Sequence, residues 1–246
     1  MNYRLDRELK FTYDSRAGYY HFILQVRPGR GAGTGVNAAL VIEPTDSRYV
    51  REWLARLIPC EPDALHVALA GPHDARRLWD PCALEDPQSP SAMGRRGCIC
   101  WKTSWDPVTG LPVASNHVRT AGGDDDEWRH HTFAPLSLPP GERLEVLVID
   151  AEANVFWVRT DAGTLVLLPE ATGVGYGVGY RGSRSSQLAR MIERIVQSDG
   201  HDVTPVPPNY QPDHRVYSWL VSAAADRTQE LTLDQLKTVC RTGFPD

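Results

Sequence analysis

The clearest pattern of hydrophobic positions lies in residues 173–196, which read GVGYGVGYRGSRSSQLARMIERIV. In the second half of this segment, apolar residues recur at helical spacing and predict an amphipathic helix. In the first half, glycine alternates with Val or Tyr. This predicts an extended strand with one face of bare backbone, because successive strand side chains point to opposite sides. A Gly/Ser turn joins the two halves, and Ser183 or Ser185 is predicted to cap the helix.

Alternating and β-rich segments predict strands before and after the middle of the chain. Three strands separated by short turns predict a β-meander that leads into the glycine run, at 144–149, 155–159 and 164–168. The remaining predicted strands are 19–26, 37–42, the short buried run 64–70, and 98–103, where residues alternate.

Three further segments predict helices. Residues 45–58 have one apolar face, with Thr45 or Asp46 as the cap and Pro59 after the end. After the proline-rich link VTPVPPNYQP come helices at 214–225 and 232–240, the second with a capping-box pattern at Thr232 and Gln235. The connection between them is longer than in a helix-turn-helix motif, which favours a simple helical hairpin.

Because runs of strands are separated from runs of helices, the chain is predicted to be α+β, with a mixed or antiparallel sheet, a β-meander and C-terminal helices. Residues 1–70 form a strand–strand–helix portion and residues 141–246 contain the meander and helices, and the two are compatible with one domain. Residues 71–140 are predicted to be irregular, since they are rich in Pro and Gly up to 97 and show little periodicity from 105 to 140.

Composition narrows the classes of protein. The 246 residues are 41% hydrophobic, which is typical of a globular chain, and no apolar run reaches the length of a membrane span. The charged N-terminal run MNYRLDRELKF lacks the apolar core of a signal peptide, and five cysteines, an odd number, are typical of reduced thiols. A cytoplasmic protein with no membrane partner is therefore predicted. The net charge of −5 speaks against a protein that coats nucleic acid, although a local basic patch is compatible with it.

The turn before the predicted helix has the spacing G-x-G-x-x-G at Gly177, Gly179 and Gly182. A helix start of this kind attracts anions through its free N–H groups and its dipole. A dinucleotide site also needs a second parallel strand that ends in an acid, and the proline-rich link after the helix cannot form one.

Arginines near tyrosines suggest a basic, aromatic surface around this turn, of a kind that can hold phosphate and stack bases. Arg190 and Arg194 are four residues apart and share a helix face, with Glu193 beside them on the polar side. The predicted anion or nucleic-acid contacts are Gly179, Arg181, Gly182, Ser183, Arg184, Arg190 and Arg194, next to Tyr176 and Tyr180.

Residues 165–196 also resemble a small uncharacterised domain of actinobacterial and phage proteins. Its hallmark is a strand that ends in a Gly-Tyr-x-Gly-Ser/Thr-Gly-Pro turn and enters a Leu-Ala helix. Residues 179–183 and the pair Leu188-Ala189 match this pattern, whereas Arg184 and Ser185 stand where Gly-Pro is usual. The resemblance covers about an eighth of the chain and implies a bacterial or phage source rather than an activity.

Two clusters contain metal-ligand residue types. Cys98 and Cys100 form a tight C-x-C pair whose side chains can share one strand face, whereas Cys60 and Cys82 are more distant in sequence. A structural zinc site is one interpretation of these cysteines, and buried thiols that pack as small hydrophobic side chains are the favoured one. The acidic run with Asp124 and Asp126, followed by His130 and His131, suits a hard cation, although no calcium-loop spacing is present and a solvated loop is favoured. No cofactor is therefore predicted.

No catalytic signature such as G-x-S-x-G occurs, while one anion-competent turn does. The sequence therefore favours an intracellular, non-enzymatic binding or accessory protein that contacts a nucleotide, nucleic acid or protein partner through the Gly/Arg turn. A metal-dependent hydrolase or nuclease that uses residues 124–131 is the competing class, and a structural subunit with aromatic contacts is the third.

Overall fold

The computed structural model describes residues 10–14, 19–23, 34–43, 45–70, 78, 97–120, 127–171, 173–206 and 211–245. The chain divides into two compact units, Met1–Gly33 and Thr34–Asp246. In the first unit, β1 (Lys10–Asp14) and β2 (Tyr19–Ile23) pair antiparallel, with Phe11 opposite Phe22.

The second unit contains a five-stranded antiparallel sheet in the order β3-β7-β6-β5-β4. Its strands are β3 (Thr34–Ile42), β4 (Ile58–Pro59), β5 (Gly97–Trp105), β6 (Pro112–Thr120) and β7 (Glu127–Pro135). The prediction of irregular structure from 105 to 140 is wrong, because β6 and β7 lie there. Val113 and Ala114 point to opposite faces of β6 and both are fully buried, in separate apolar clusters, so no alternation of polar and apolar residues marks the strand. Of the irregular run predicted from 71 to 97, all but Leu78 and Gly97 lies outside the described residues.

A four-stranded antiparallel sheet in the order β10-β9-β8-β11 follows, and it confirms the predicted meander. Its strands are β8 (Leu144–Asp150), β9 (Val155–Thr160), β10 (Leu165–Leu167) and β11 (Gln229–Thr232). The sequence did not predict β11, since in its four residues only Leu231 is buried. It pairs with β8 and lies in what was expected to be a plain connection between helices.

The described residues contain five α-helices: α1 (Arg48–Ala55), α2 (Ala64–Ala70), α3 (Ser183–Gln197), α4 (His214–Leu220) and α5 (Leu233–Thr242). None of them is both long enough and apolar enough to cross a membrane. The predicted capping box of Thr232 and Gln235 at α5 is confirmed. α4 ends at Leu220, five residues before the predicted end, and the cap of α1 is Ser47, not Thr45 or Asp46.

The run 64–70 was predicted as a strand and is the helix α2. Its apolar composition suits either structure, and the preceding Asp63 decides between them. The Asp63 carboxylate accepts the backbone N–H groups of Leu65 at 2.9 Å and His66 at 3.1 Å, so it supplies two partners that the first turn of a helix needs.

The four-stranded sheet separates two apolar cores. On one face, Leu147 and Val158 pack against Leu188 of α3 and other residues of α3, α4 and α5. On the other face, Trp157 packs against Trp53 of α1 and a core that includes Val113 of the five-stranded sheet. This arrangement of helices and antiparallel sheets confirms the α+β class, and it places the start of α3 at the end of the meander.

Candidate functional site

The glycine run before α3 is not a strand. Residues 173–182 are irregular, and Gly173, Gly175 and Gly179 have φ values of +71°, +74° and +79°. These values lie in the left-handed region, which glycine adopts without the steric cost that other residues meet there. The alternation of glycine thus reflects repeated backbone turns rather than a pleated strand, and the predicted strand is corrected.

Side chains cover the glycines closely. A Cβ on Gly177 would lie 2.3 Å from the hydroxyl of Tyr180, and one on Gly182 would lie 3.4 Å from the same ring. A Cβ on Gly179 would lie 2.6 Å from the carboxyl group of Asp226, a contact that the sequence did not suggest. The glycines therefore admit neighbouring side chains of the same chain, and the bare backbone face does not form an open groove.

The two tyrosines of the run have different roles. Tyr176 is buried and its hydroxyl donates a hydrogen bond to the carbonyl of Pro169. Burial, together with the negative charge of Glu170, raises the pKa of Tyr176 well above its usual value, so it stays neutral. Tyr180, in contrast, is 45% exposed while its ring lies against Gly177 and Gly182. This leaves an aromatic surface that is held by its own chain and open to solvent.

The helix α3 begins without a side-chain cap. Its N-cap is Gly182, which makes no side-chain hydrogen bond to the first turn. The predicted caps Ser183 and Ser185 both lie inside the helix, and the Ser185 hydroxyl instead donates to the carbonyl of Tyr180 at 2.7 Å. The first-turn N–H groups of Arg184 and Ser185 therefore lack the acceptor that a Ser, Asp or Asn cap would provide, at a helix end with positive dipole.

The structure does not bring the four predicted arginines together at the turn. Arg181 and Arg184 are exposed at the start of α3, and the Arg184 Nε donates to the carbonyl of Val174 at 3.1 Å. Arg194 lies 11 residues after Ser183, about 16 Å along the helix axis at 1.5 Å per residue. Its Nη1 donates to Thr204 Oγ1 at 2.8 Å.

Arg190 donates from Nη1 to the Gln187 Oε1 at 3.1 Å, so it also lies along the helix rather than in the turn. The polar positions between the arginines are largely buried. Glu193 is 8% exposed and accepts the backbone N–H of Asp213, which corrects the expectation that it faces solvent beside the arginines. Of the predicted contact residues, those that lie together at the start of the helix, with Tyr180 between them, are here called the α3 turn: Gly179, Tyr180, Arg181, Gly182, Ser183 and Arg184.

The predicted metal ligands on β7 do not converge. His130 and His131 are consecutive in the strand and face opposite sides of the sheet. His130 Nδ1 lies 2.8 Å from the Ser115 hydroxyl, and His131 Nε2 lies 2.9 Å from the Asn116 Oδ1, so each ring already has a polar partner. Burial, with a smaller contribution from His131, lowers the pKa of His130 to about 4, which keeps it neutral near pH 7.

The other predicted ligands are placed less fully. Cys98 and Cys100 lie in β5, where their Cα atoms pair with those of Arg119 and His117. Cys82, Asp124 and Asp126 lie outside the described residues. Within the described part of the chain, no three His, Cys, Asp or Glu side chains are grouped so that they could hold a metal ion.

A cleft of about 510 Å³ that the sequence did not indicate lies between the start of α1, the β8–β9 turn and β11. Its polar groups largely bind one another. Glu230 accepts hydrogen bonds from Arg48 at 2.9 Å and from the Tyr49 hydroxyl at 3.0 Å. The carboxylate of the buried Asp150 accepts hydrogen bonds from the Ser47 hydroxyl at 2.5 Å and from the Trp157 Nε1 at 3.3 Å. We interpret these contacts as polar interactions that hold α1 against the four-stranded sheet.

Comparison with known proteins adds no relative: no protein-family model matches the chain, and neither a curated protein nor a solved structure is significantly similar to it. The resemblance of residues 165–196 to the actinobacterial and phage domain stays a prediction.

Proposed function

We propose that this chain is a binding or accessory protein that contacts a nucleotide, free or within a single-stranded nucleic acid, through the α3 turn. One observation carries the proposal. The exposed ring of Tyr180 lies against Gly177 and Gly182. It is next to the exposed Arg181 and Arg184 and to a helix start that has no side-chain cap.

Each part of the turn matches a part of a nucleotide. The first-turn N–H groups of α3 and the positive end of its dipole favour a phosphate oxygen. Arg181 and Arg184 add positive charge at the start of the helix, and Arg184 uses its Nε, rather than a terminal nitrogen, to bind the Val174 carbonyl. Tyr180 offers a face on which a base can stack, an interaction worth about 1–3 kcal/mol per base in single-strand binding proteins.

The charge of the whole chain sets the expected strength. With a net charge of −5, long-range attraction to polyanions is absent, and binding depends on the local donors of the turn. If Arg181 and Arg184 each neutralise one phosphate, the affinity for a single strand falls with salt at a log–log slope of about −1.4, from about 0.7 per phosphate. We infer that the protein acts in the cytoplasm, which is consistent with free thiols at Cys60 and Cys240.

Fluorescence polarisation with a labelled oligothymidylate at low salt tests the proposal. The double variant Arg181→Ala, Arg184→Ala is expected to lose at least tenfold in affinity and most of the salt slope. Tyr180→Ala is expected to lose about tenfold, the equivalent of about 1.4 kcal/mol of stacking.

Arg51→Ala serves as the matched control, because Arg51 is also an exposed arginine but lies on α1 beside the cleft. The proposal requires that this variant binds like the wild type. Equal affinity of the wild type and the double arginine variant would contradict it, and a loss confined to Arg51→Ala would move the site to the cleft.

A further inference from the structure

A second group of reactive side chains lies far from the α3 turn in sequence, between β4 and α2. Cys60 is partly buried, and its Sγ lies 3.7 Å from Nε2 of the fully buried His66. The other ring nitrogen of His66, Nδ1, lies 2.8 Å from the Asp63 Oδ1. A thiol, an imidazole and a carboxylate are thus placed in the order in which a nucleophile, a base and a group that orients the base occur in thiol enzymes.

The backbone on both sides fixes this geometry. Cys60 continues the edge strand β4, where its N–H donates to the carbonyl of Thr103 and its own carbonyl accepts the Thr103 hydroxyl at 2.6 Å. His66 lies in the first turn of α2, which Asp63 caps. The ring of Trp105 packs edge-on against the imidazole, with the ring centres 5.2 Å apart. The residues are therefore held by a strand pair on one side and a helix cap on the other.

The contacts of the imidazole determine where its protons lie. The Asp63 backbone N–H lies 3.3 Å from Nδ1, and this contact alone would suit an unprotonated Nδ1 in a capping box. The carboxylate oxygen of Asp63 is closer, at 2.8 Å, and an unprotonated Nδ1 would set two lone pairs against each other there. The shorter contact therefore favours a proton on Nδ1, donated to Asp63.

With the proton on Nδ1, Nε2 carries the lone pair and lies 3.7 Å from the Cys60 Sγ and 3.1 Å from the Ser104 carbonyl oxygen. The repulsion from this carbonyl is weaker than that from the closer, charged carboxylate at Nδ1, and it is relieved when Nε2 gains a proton. When Nε2 accepts the thiol proton, the resulting N–H can donate to the Ser104 carbonyl. Both N–H groups of the imidazolium then have acceptors, Asp63 and Ser104, so His66 can hold the transferred proton while the sulfur reacts.

We propose that Cys60, His66 and Asp63 form a base-assisted nucleophilic thiol site that takes electrophilic carbon compounds. In the reaction the Cys60 thiol proton moves to the His66 Nε2, the Sγ–C bond forms, and the leaving group departs from the carbon with the bonding electrons. Asp63 is a positioning residue that holds the ring and balances its charge.

The charges around the thiol explain why a base is needed. Burial raises the pKa of Cys60 and the negative charge of Asp63 raises it further, whereas the Thr103 side chain lowers it and Glu61 makes the smallest contribution, which raises it. Cys60 is therefore a protonated thiol at neutral pH, and a thiol reacts through its thiolate. His66 is the group within reach that can remove the proton during the reaction.

Alkylation by iodoacetamide tests the site, with each cysteine followed by peptide mass spectrometry. In this reaction the Sγ–C bond forms as the C–I bond breaks and iodide leaves. The rate at Cys60 is expected to show a limb at lower pH that depends on His66, before the rise from direct thiol ionisation. Cys240 in the same molecule is the internal reference, because burial and the carboxylates of Glu193 and Asp213 raise its pKa to about 11 and its rate should show the high-pH rise alone.

Two variants that remove one negative charge each provide the decisive comparison. Glu61→Gln removes a charge that raises the pKa of Cys60 and leaves His66 in place, so alkylation at pH 7 should be as fast as in the wild type or faster. Asp63→Asn keeps a side chain that can cap α2 but removes the charge that supports the imidazolium, so alkylation at pH 7 should slow at least threefold.

His66→Gln should remove the limb at lower pH and slow the reaction at pH 7 at least tenfold, a conservative bound against the roughly 10²–10⁴-fold that is typical of general acid–base catalysis. If this variant does not fold because His66 is buried, the Asp63→Asn and Glu61→Gln pair still decides. The proposal is overturned if the rate at Cys60 follows a single thiol ionisation, or if Asp63→Asn accelerates alkylation as Glu61→Gln does.

Discussion

Replacement of Gly179 by alanine tests how closely the α3 turn is built. Gly179 has φ of +79°, its N–H donates to the carbonyl of Leu220 at 2.8 Å, and a Cβ would lie 2.6 Å from Cγ and 2.9 Å from Cβ of Asp226. The left-handed conformation costs a non-glycine residue about 1–2 kcal/mol. Overpacking against Asp226 adds about 1–3 kcal/mol, because the exposed carboxyl can rotate away but the Asp226 Cβ moves only with its backbone. We expect Gly179→Ala to lower the free energy of unfolding by about 2–5 kcal/mol.

Gly110→Ala isolates the conformational part of this cost. Gly110 has a similar φ of +69°, and a Cβ there would meet nothing within 4 Å. Its variant should lose about 1–2 kcal/mol, from the backbone conformation alone. Urea denaturation of both variants measures the difference, which is the cost of the contact with Asp226.

A third protein, Gly179→Ala with Asp226→Ala, removes the contact with the Asp226 carboxyl group but keeps the Asp226 Cβ. Relative to Asp226→Ala alone, the Gly179→Ala change should then keep most of its cost, because the Cβ contact remains, with a relief of at most about 1 kcal/mol from loss of the carboxyl contact. If Gly179→Ala costs no more than Gly110→Ala, the close approach of Asp226 to the turn is refuted.

Two further predictions concern stability elsewhere in the fold. The pKa of His130 falls from 6.5 to about 4 on folding. As the pH falls, the imidazole is therefore protonated in the unfolded chain before it is protonated in the folded chain, and the folded chain loses stability. Between pH 7 and pH 5 the loss should be about 2 kcal/mol by urea denaturation and should largely vanish in His130→Gln, whereas replacing the exposed His201 in the same way should leave it in place. Thr232→Ala removes the acceptor for the Gln235 N–H at the start of α5 and should cost about 1 kcal/mol, while Thr228→Ala in the exposed preceding loop should cost less than half of that. A cost at Thr232 no larger than at Thr228 would contradict the capping box.

The parts of the fold that the sequence predicted are those where a local rule operates. The meander of β8, β9 and β10 has short turns between apolar runs, and the capping box of α5 needs only Thr232 and Gln235. β6 and β7 escaped prediction because both faces of the sheet are covered at Val113 and Ala114, which removes the polar half of the alternation.

The sequence indicated a turn before α3 but not the backbone geometry of that turn. Glycine that alternates with Val or Tyr suggested a strand. The pattern of side chains does not reveal the sign of φ, and at several of these glycines φ is positive. The sequence also predicted that Arg194 contributes to the turn. In the structure Arg194 lies towards the other end of α3 and donates a hydrogen bond to the Thr204 hydroxyl.

The thiol site escaped prediction for a related reason. Cys60 was considered as a distant zinc ligand, and residues 64–70 were assigned to a strand. The spacing C-x-x-D-x-x-H at Cys60, Asp63 and His66 gains meaning once Asp63 is recognised as a helix cap, because the first turn of α2 then brings His66 back over Asp63.

The central claim, that the α3 turn binds the phosphate and base of a nucleotide, is tested most directly by amide NMR during titration with oligothymidylate. Binding at the turn should produce saturable shifts of the Gly182, Ser183 and Arg184 backbone N–H signals, together with broadening or shift of the Tyr180 ring signals. Shifts that concentrate instead at Arg48 and Arg51 around the cleft, or no saturable shift at all, would contradict it.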